Sequence, residues 1–355
     1  MTSTEQATSG PRAADAGPDP LWREAIAPYA KPNPPRTALD ILTGPVVYLA
    51  LWPLMVYLLA EVSFWAMLPV AVLASGFLLR TFILFHDCTH GSLFERREAN
   101  LWGGRLFGLL VFHPFQNWRH SHAVHHGSAG DLDRRGTGDV MTMTVAEYQQ
   151  ASSKERFVYR LFRNPLVMFG IGPFWALVIQ PRIPPKTGSE KLRRSVWATN
   201  AAVAVLVAVV CLAIGWQEYL LIQLPMILIA GAAGVWLFFV QHQFEDVYWE
   251  SGERWSYADA ALQGSSYLKL PQPFQFFTGN IGLHHVHHLS ARVPNYNLQA
   301  AHDGLPVFEQ VPVLTVRESL RCSRLKLIDE TTGRLLTFRQ ARELDHVGSP
   351  ASATV

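Results

Sequence analysis

Four long apolar runs, arranged in two close pairs, constrain this chain more than any other feature. They are 41–60 (ILTGPVVYLALWPLMVYLLA), 62–85 (VSFWAMLPVAVLASGFLLRTFILF), 197–216 and 219–240 (YLLIQLPMILIAGAAGVWLFFV). Each is close to or above the roughly 20 helical residues that cross a bilayer. The links within the pairs, near Glu61 and near Trp216–Glu218, leave room only for tight helical hairpins. The sequence therefore predicts an all-α membrane protein with four transmembrane helices in two hairpins. Charged residues make up 16% of the chain. That is below the usual quarter of a soluble domain and suits a protein partly solvated by lipid.

Charge gives the orientation. The hairpin tips carry no Lys or Arg, whereas the stretch between hairpins carries many, among them Arg96, Arg97, Arg119, Arg134, Arg135, Lys154, Arg156 and Arg163. The positive-inside rule places that stretch and both termini in the cytoplasm, with the chain in the cell membrane. Arg80 lies near the cytoplasmic end of its span, where it can snorkel or face protein. Leu101–Phe115 and Leu166–Ile179 are too short to span comfortably and read as interfacial helices. Residues 1–40, rich in Ala, Pro, Gly and charge, read as a polar, disordered cytosolic tail and not as a cleaved signal peptide. Residues 41–310 form the membrane domain, and 311–355 a cytosolic extension. A net charge of +2 gives no support to a nucleic-acid partner. Cys88, Cys211 and Cys322 form no CxxC pair, so neither a disulfide framework nor a thiolate zinc site is indicated.

The fourteen histidines are concentrated. None precedes residue 86, and twelve fall at 86–90, 113–126, 242 and 284–288. In the topology just derived, all four places lie on the cytoplasmic side. His86 and His90 are i and i+4, so one helix face would carry both if the second span continues another turn. His122, His125 and His126 form HxxHH, and so do His284, His287 and His288, with His285 an extra residue pointing elsewhere. His242 follows directly on the fourth span. The sum is nine candidate ligands, and a single ion takes at most about six. Nine imidazoles thus imply two metals. A nitrogen-only shell fits iron, copper or zinc. Two metals beside a membrane favour redox oxygen chemistry over hydrolysis.

At these residues the chain resembles a known family. HDCTH, HAVHH and HHVHH are similar to the three histidine boxes of the membrane fatty acid desaturase superfamily. Gly130-Asp131-Leu132-Asp133-Arg134-Arg135-Gly136-Thr137-Gly138-Asp139-Val140, Gln241–Asp246, Gly279–Gly282 and Arg292–Leu298 are similar to bacterial acyl-lipid desaturases of the omega-6/Δ12 and Δ5 type. The likeness runs from about residue 40 to about 310. It implies four transmembrane helices, cytosolic termini, and a cytosolic helical cap carrying two nonheme irons on a histidine-ligated dimetal site. The implied ligands are His86, His90, His122, His125, His126, His284, His287 and His288, with His242 as the additional histidine after the fourth span. His113 and His120 match no ligand slot. Three residues between the histidines of the first box fit the omega-6-like branch better than the acyl-CoA branch.

The activity implied is O₂-dependent insertion of a cis double bond into a fatty acyl chain, such as that of a membrane phospholipid. No fused haem-binding domain is visible, so electrons would come from a separate donor such as ferredoxin. Asp87, Asp131, Asp133, Glu245 and Asn280 are candidates for orienting the metal-bound histidines. A membrane hydroxylase or ketolase acting on a lipid or carotenoid is the alternative within the class. A histidine-rich transporter or sensor is disfavoured, because every histidine box begins where a span has ended.

Overall fold

The computed structural model describes residues 21–348 other than Thr187. Seven helices position the site: α1 (Pro34–Glu61), α2 (Phe64–His90), α3 (Arg97–Leu110), α4 (Phe115–Ser128), α5 (Glu190–Ile214), α6 (Trp216–His242) and α7 (His284–Leu289). Helices α1, α2, α5 and α6 are each long and apolar enough to cross a membrane. They pair as two hairpins, α1–α2 and α5–α6. Ser63 starts α2, its Oγ accepting from Ala66 N at 3.2 Å. That bond satisfies one of the donors left free at a helix start. Gly215 forms the second tip at φ 95°, where a Cβ would fall 2.0 Å from Glu218 Oε2. No other residue type fits that turn without moving the glutamate.

Helix α2 is central and packs against α1, α3 and α6. Its buried face includes Met67, Ala71, Ala74, Leu78 and Leu84. Small residues at Ala71 and Ala74 let neighbouring backbones approach, as helix packing within lipid favours. Apolar side chains such as Val72, Leu73, Val205, Val209 and Leu212 face outward. In α1 the ring of Pro45 removes a backbone donor, and the turn Leu42–Val46 widens to a π-helix.

The helices outrun the apolar runs. Helix α2 continues from Phe85 to His90 and stops at Gly91, whose φ of 68° gives the left-handed terminus. Helix α1 begins at Pro34, with Asn33 Oδ1 accepting from Arg36 N at 3.1 Å. The disordered tail expected over 1–40 is therefore corrected for 21–40. That stretch forms the helix Leu21–Ile26, a 3₁₀ turn Ala27–Ala30, and the start of α1. Ile26 is buried, and Trp22 and Tyr29 pack in the cluster that includes Leu298 and Ala301. The Asn-Pro-Pro run that reads as loop is a helix start: asparagine caps, and proline fits the first turn. Residues 1–20 lie outside the described residues.

Among the described residues, the remaining segments build a cap over one end of the bundle. Short strands tie its segments together. Met143–Thr144 pairs in parallel with Leu327–Ile328, which pairs antiparallel with Leu335–Leu336. Tyr267–Lys269 pairs in parallel with Val313–Thr315. The segment after residue 310 is thus woven into the cap. The apolar stretch 166–179 is helical, bent by 58° from the helix Ser153–Phe162, and packs on α6 with Leu177 against Gly231.

Candidate metal centre

Helical spacing puts the histidines of each box side by side. His86 and His90 share a face of α2, with ring centroids 4.7 Å apart. His122 and His126 share a face of α4, at 4.6 Å. His125 is on another face of the same helix, and α7 likewise divides His287 from His284 and His288. The result is two adjoining groups. His86, His90, His122, His126 and His287 form one; His125, His242, His284 and His288 form the other. Within each group one ring nitrogen per residue lies within 4.8 Å of all the others. All nine candidates from the sequence are brought together. His285 turns away to His302, with Nε2 3.0 Å from His302 Nδ1.

The site is dry. His125 is 0% exposed, and His284, His287 and His288 are 3%, 1% and 2%. Burial, and after it the neighbouring imidazoles, hold His122, His126, His284, His287 and His288 well below the usual imidazole range. The rings are therefore neutral at neutral pH, which is the metal-binding form.

Hydrogen bonds fix which nitrogen is free. His125 Nδ1–H donates to Asp139 Oδ1 at 2.5 Å, and His242 Nδ1–H to the Gly264 carbonyl at 3.1 Å. Each ring then keeps its lone pair on Nε2, and these two Nε2 atoms face each other at 3.2 Å. His242 Nε2 also lies 2.9 Å from His284 Nε2. In the other group, His122 Nε2 is 3.0 Å from His86 Nε2 and 3.2 Å from His126 Nε2. Converging lone pairs repel unless a cation lies among them. Two imidazole nitrogens on neighbouring vertices of one ion, with bonds of about 2.1 Å, stand about 3 Å apart. Three further nitrogens, Nε2 of His90, His287 and His288, are buried without a hydrogen-bond partner. The donor set fits two metal ions.

The surrounding shell differs from expectation. Asp87 is placed as anticipated, with Oδ1 3.4 Å from His86 Nδ1. It is held by Asn295, whose N and Nδ2 donate to Asp87 Oδ2 at 2.9 and 3.0 Å. Asn295 Nδ2 also donates to Asp40 Oδ2 at 2.9 Å, and Asp40 pairs with Arg80 at 2.6 Å. Among the described residues, no hydrogen bond joins the other four candidates to a histidine of the two groups. Asp131 closes its own turn, accepting from Asp133 N and from Arg134. Asp133 accepts from Gly252 N, and the Glu245 side chain is exposed. Asn280 sits at φ 58° and donates to Asn295 O. Asp139, Asn295, Asp40 and the Gly264 carbonyl were missed as partners. So was Trp118, which stacks on His122 at 4.2 Å. Asp139 and Asn295 lie in the sequence stretches singled out above, and that was their only signal.

Membrane-length helices ending in two buried imidazole groups define a class: helical membrane proteins with a histidine-lined, metal-binding type of centre. Comparison with known proteins narrows this. The family model described as fatty acid desaturase matches residues 63–313, more than half the chain. The fatty acid desaturase of Bacillus subtilis (strain 168) is 43% identical over 319 residues, 90% of each chain. The sn-1 oleoyl-lipid 12-desaturase of Anabaena variabilis is 26% identical over 262 residues, 68% of this chain and 69% of that one. The sn-1 acyl-lipid omega-3 desaturase (ferredoxin) of Synechocystis sp. is 27% identical over 267 residues, 70% of each. The chain belongs to the fatty acid desaturase family and is a membrane oxidoreductase.

Proposed function

We propose that this protein is an O₂-dependent acyl-lipid desaturase with two iron ions, set in the cytoplasmic membrane with its cap and termini in the cytosol. One observation carries the reading: two adjoining sets of imidazoles, most of them buried, with ring nitrogens converging at the ends of α2 and α6. His86, His90, His122, His126 and His287 hold one ion, and His125, His242, His284 and His288 the other. The lipid-acyl substrates and the ferredoxin in the names of the cyanobacterial relatives support a lipid-linked chain and a separate electron donor.

The reaction breaks two C–H bonds on adjacent methylenes and forms one C=C bond. O₂ becomes two waters, using two electrons from the donor and two protons from solvent. Abstracting hydrogen from an unactivated methylene is beyond acid–base side chains, and the bound irons supply that redox chemistry. The protein's own residues set the conditions. An all-histidine donor set includes no carboxylate or thiolate, so it would leave the charge of a bound ion uncompensated. Asp139 and the Gly264 carbonyl hold the Nδ1 protons of His125 and His242 and direct each Nε2 inward. Burial keeps bulk water away from most of these rings.

The test is a fatty acid profile by gas chromatography–mass spectrometry, with double-bond location. The host lacks an oxygen-dependent desaturase, and a His125→Ala chain is the control. A new unsaturated acid that disappears with the control is expected. A hydroxylated or keto product would overturn double-bond formation and leave the alternative oxygenase reading. Full activity of the control would overturn the ligand assignment.

A further inference from the structure

Arg163, just after the helix Ser153–Phe162, is 0% exposed, yet none of its partners is a carboxylate. Its donors reach oxygens from three separate segments. Nη1 donates to Met141 O and Thr142 Oγ1, both at 3.1 Å. Nη2 donates to Gln243 Oε1 at 2.8 Å and to Leu325 O at 2.9 Å. Its guanidinium also lies 5.4 Å from the ring of Phe239. Lys326 Nζ donates to the backbone carbonyl of Arg163 at 2.5 Å. A buried charge without an anion is expensive, and a chain keeps one where its fork of donors fixes something.

What it fixes adjoins the metal centre. Gln243 Oε1 accepts from Arg163 Nη2 and lies 3.2 Å from Thr142 Oγ1, whose one proton is shared with Val140 O at 2.8 Å. Gln243 follows His242 directly, at the point where α6 leaves helical geometry. On the other flank, Gln241 Nε2 donates to Ile281 O at 2.8 Å, close before α7. The other eight histidines sit in boxes where helical neighbours share the load. His242 is outside the boxes, on the last residue of α6; Gly264 O holds its Nδ1, but no following helical turn fixes its backbone.

We infer that Arg163 is a positioning residue for the four-histidine group, acting through Gln243 on His242, and that the segment 323–328 supports it. The inference rests on the reading of His242 as a ligand.

The experiment compares iron per folded chain in full-length protein purified in micelles from iron-supplemented cells. The variants are His242→Ala, Arg163→Leu, Gln243→Leu and Gln243→Glu, each checked by thermal midpoint. Wild type should carry two irons. His242→Ala, Arg163→Leu and Gln243→Leu should each fall toward one, since the five-histidine group is untouched. Gln243→Glu keeps the acceptor and should retain two. Should Arg163→Leu fail to fold, Gln243→Leu decides, because it leaves the guanidinium its other acceptors. If His242→Ala loses iron while Gln243→Leu keeps two with only a lower midpoint, the residues are structural and the inference is overturned. If His242→Ala itself keeps two, the ligand reading beneath it fails.

Discussion

Asp139 is the residue whose chemistry is most sharply defined. Its carboxylate sits 2.5 Å from His125 Nδ1, and His125 is 0% exposed. A carboxylate there fixes the tautomer and raises the basicity of Nε2. Losing such a partner lowers metal affinity or activity about 10–100-fold. Asp139→Ala should therefore lose iron and product by that factor, whereas Asp139→Asn, which keeps an acceptor oxygen, should lose less. Equal iron content and turnover in wild type and Asp139→Ala would remove the role. The histidines were legible in the sequence because i, i+3 and i+4 spacing survives any loop path. Their carboxylate partners were not. Asp131, Asp133 and Asp139 lie within nine residues of one another in a loop without period. Which of them reaches a histidine depends on how that loop turns, and Asp131 is consumed by its own turn.

At the scale of elements, the cap ends of α1 and α2 are locked by charge. Asp40 and Arg80, both buried, pair at 2.6 Å across the two helices, and Arg80 Nη1 also donates to Phe276 O at 2.5 Å. Breaking a buried pair by removing one partner costs about 3–5 kcal/mol, while replacing both with apolar groups is far milder. Asp40→Ala should destabilise by that amount, and adding Arg80→Met to it should recover part of the loss. A denaturant series on Asp40→Ala, Arg80→Met and the double variant in micelles measures this. Strictly additive losses would mean that the pair does not couple the helices. The four spans were readable from hydropathy, but their cap ends were not. Asp40 and Arg36 in α1, and the whole HDCTH turn of α2, are helical residues that carry no apolar signal. A helix continues past the lipid wherever protein covers it.

At the scale of the whole molecule, stability is tied to pH by a buried histidine apart from the metal centre, His113. It is buried, donates from Nδ1 to Val111 O at 2.7 Å, and is pushed down to about 4, chiefly by burial. An unfolded chain takes up that proton near pH 6.5. Between the two values the unfolded state binds more protons, so stability falls as pH drops through 6.5 and levels off below about 4. The full span is worth about 3 kcal/mol. The thermal midpoint of wild type relative to His113→Phe should therefore decline between pH 7.5 and pH 5. A difference that is the same at both values would overturn this.

The contact between Asn295 and Asp87 joins residues 208 positions apart. A chain made from its N-terminus at roughly 5–20 residues per second needs about 10–40 s to add that much sequence. During that interval the first two spans and their histidines exist without α7. Neither group of imidazoles can be complete until the third box has been synthesised and folded back onto α2. Metal arriving earlier would meet only part of its ligands. Both groups therefore wait on the same late helix, and they become complete together.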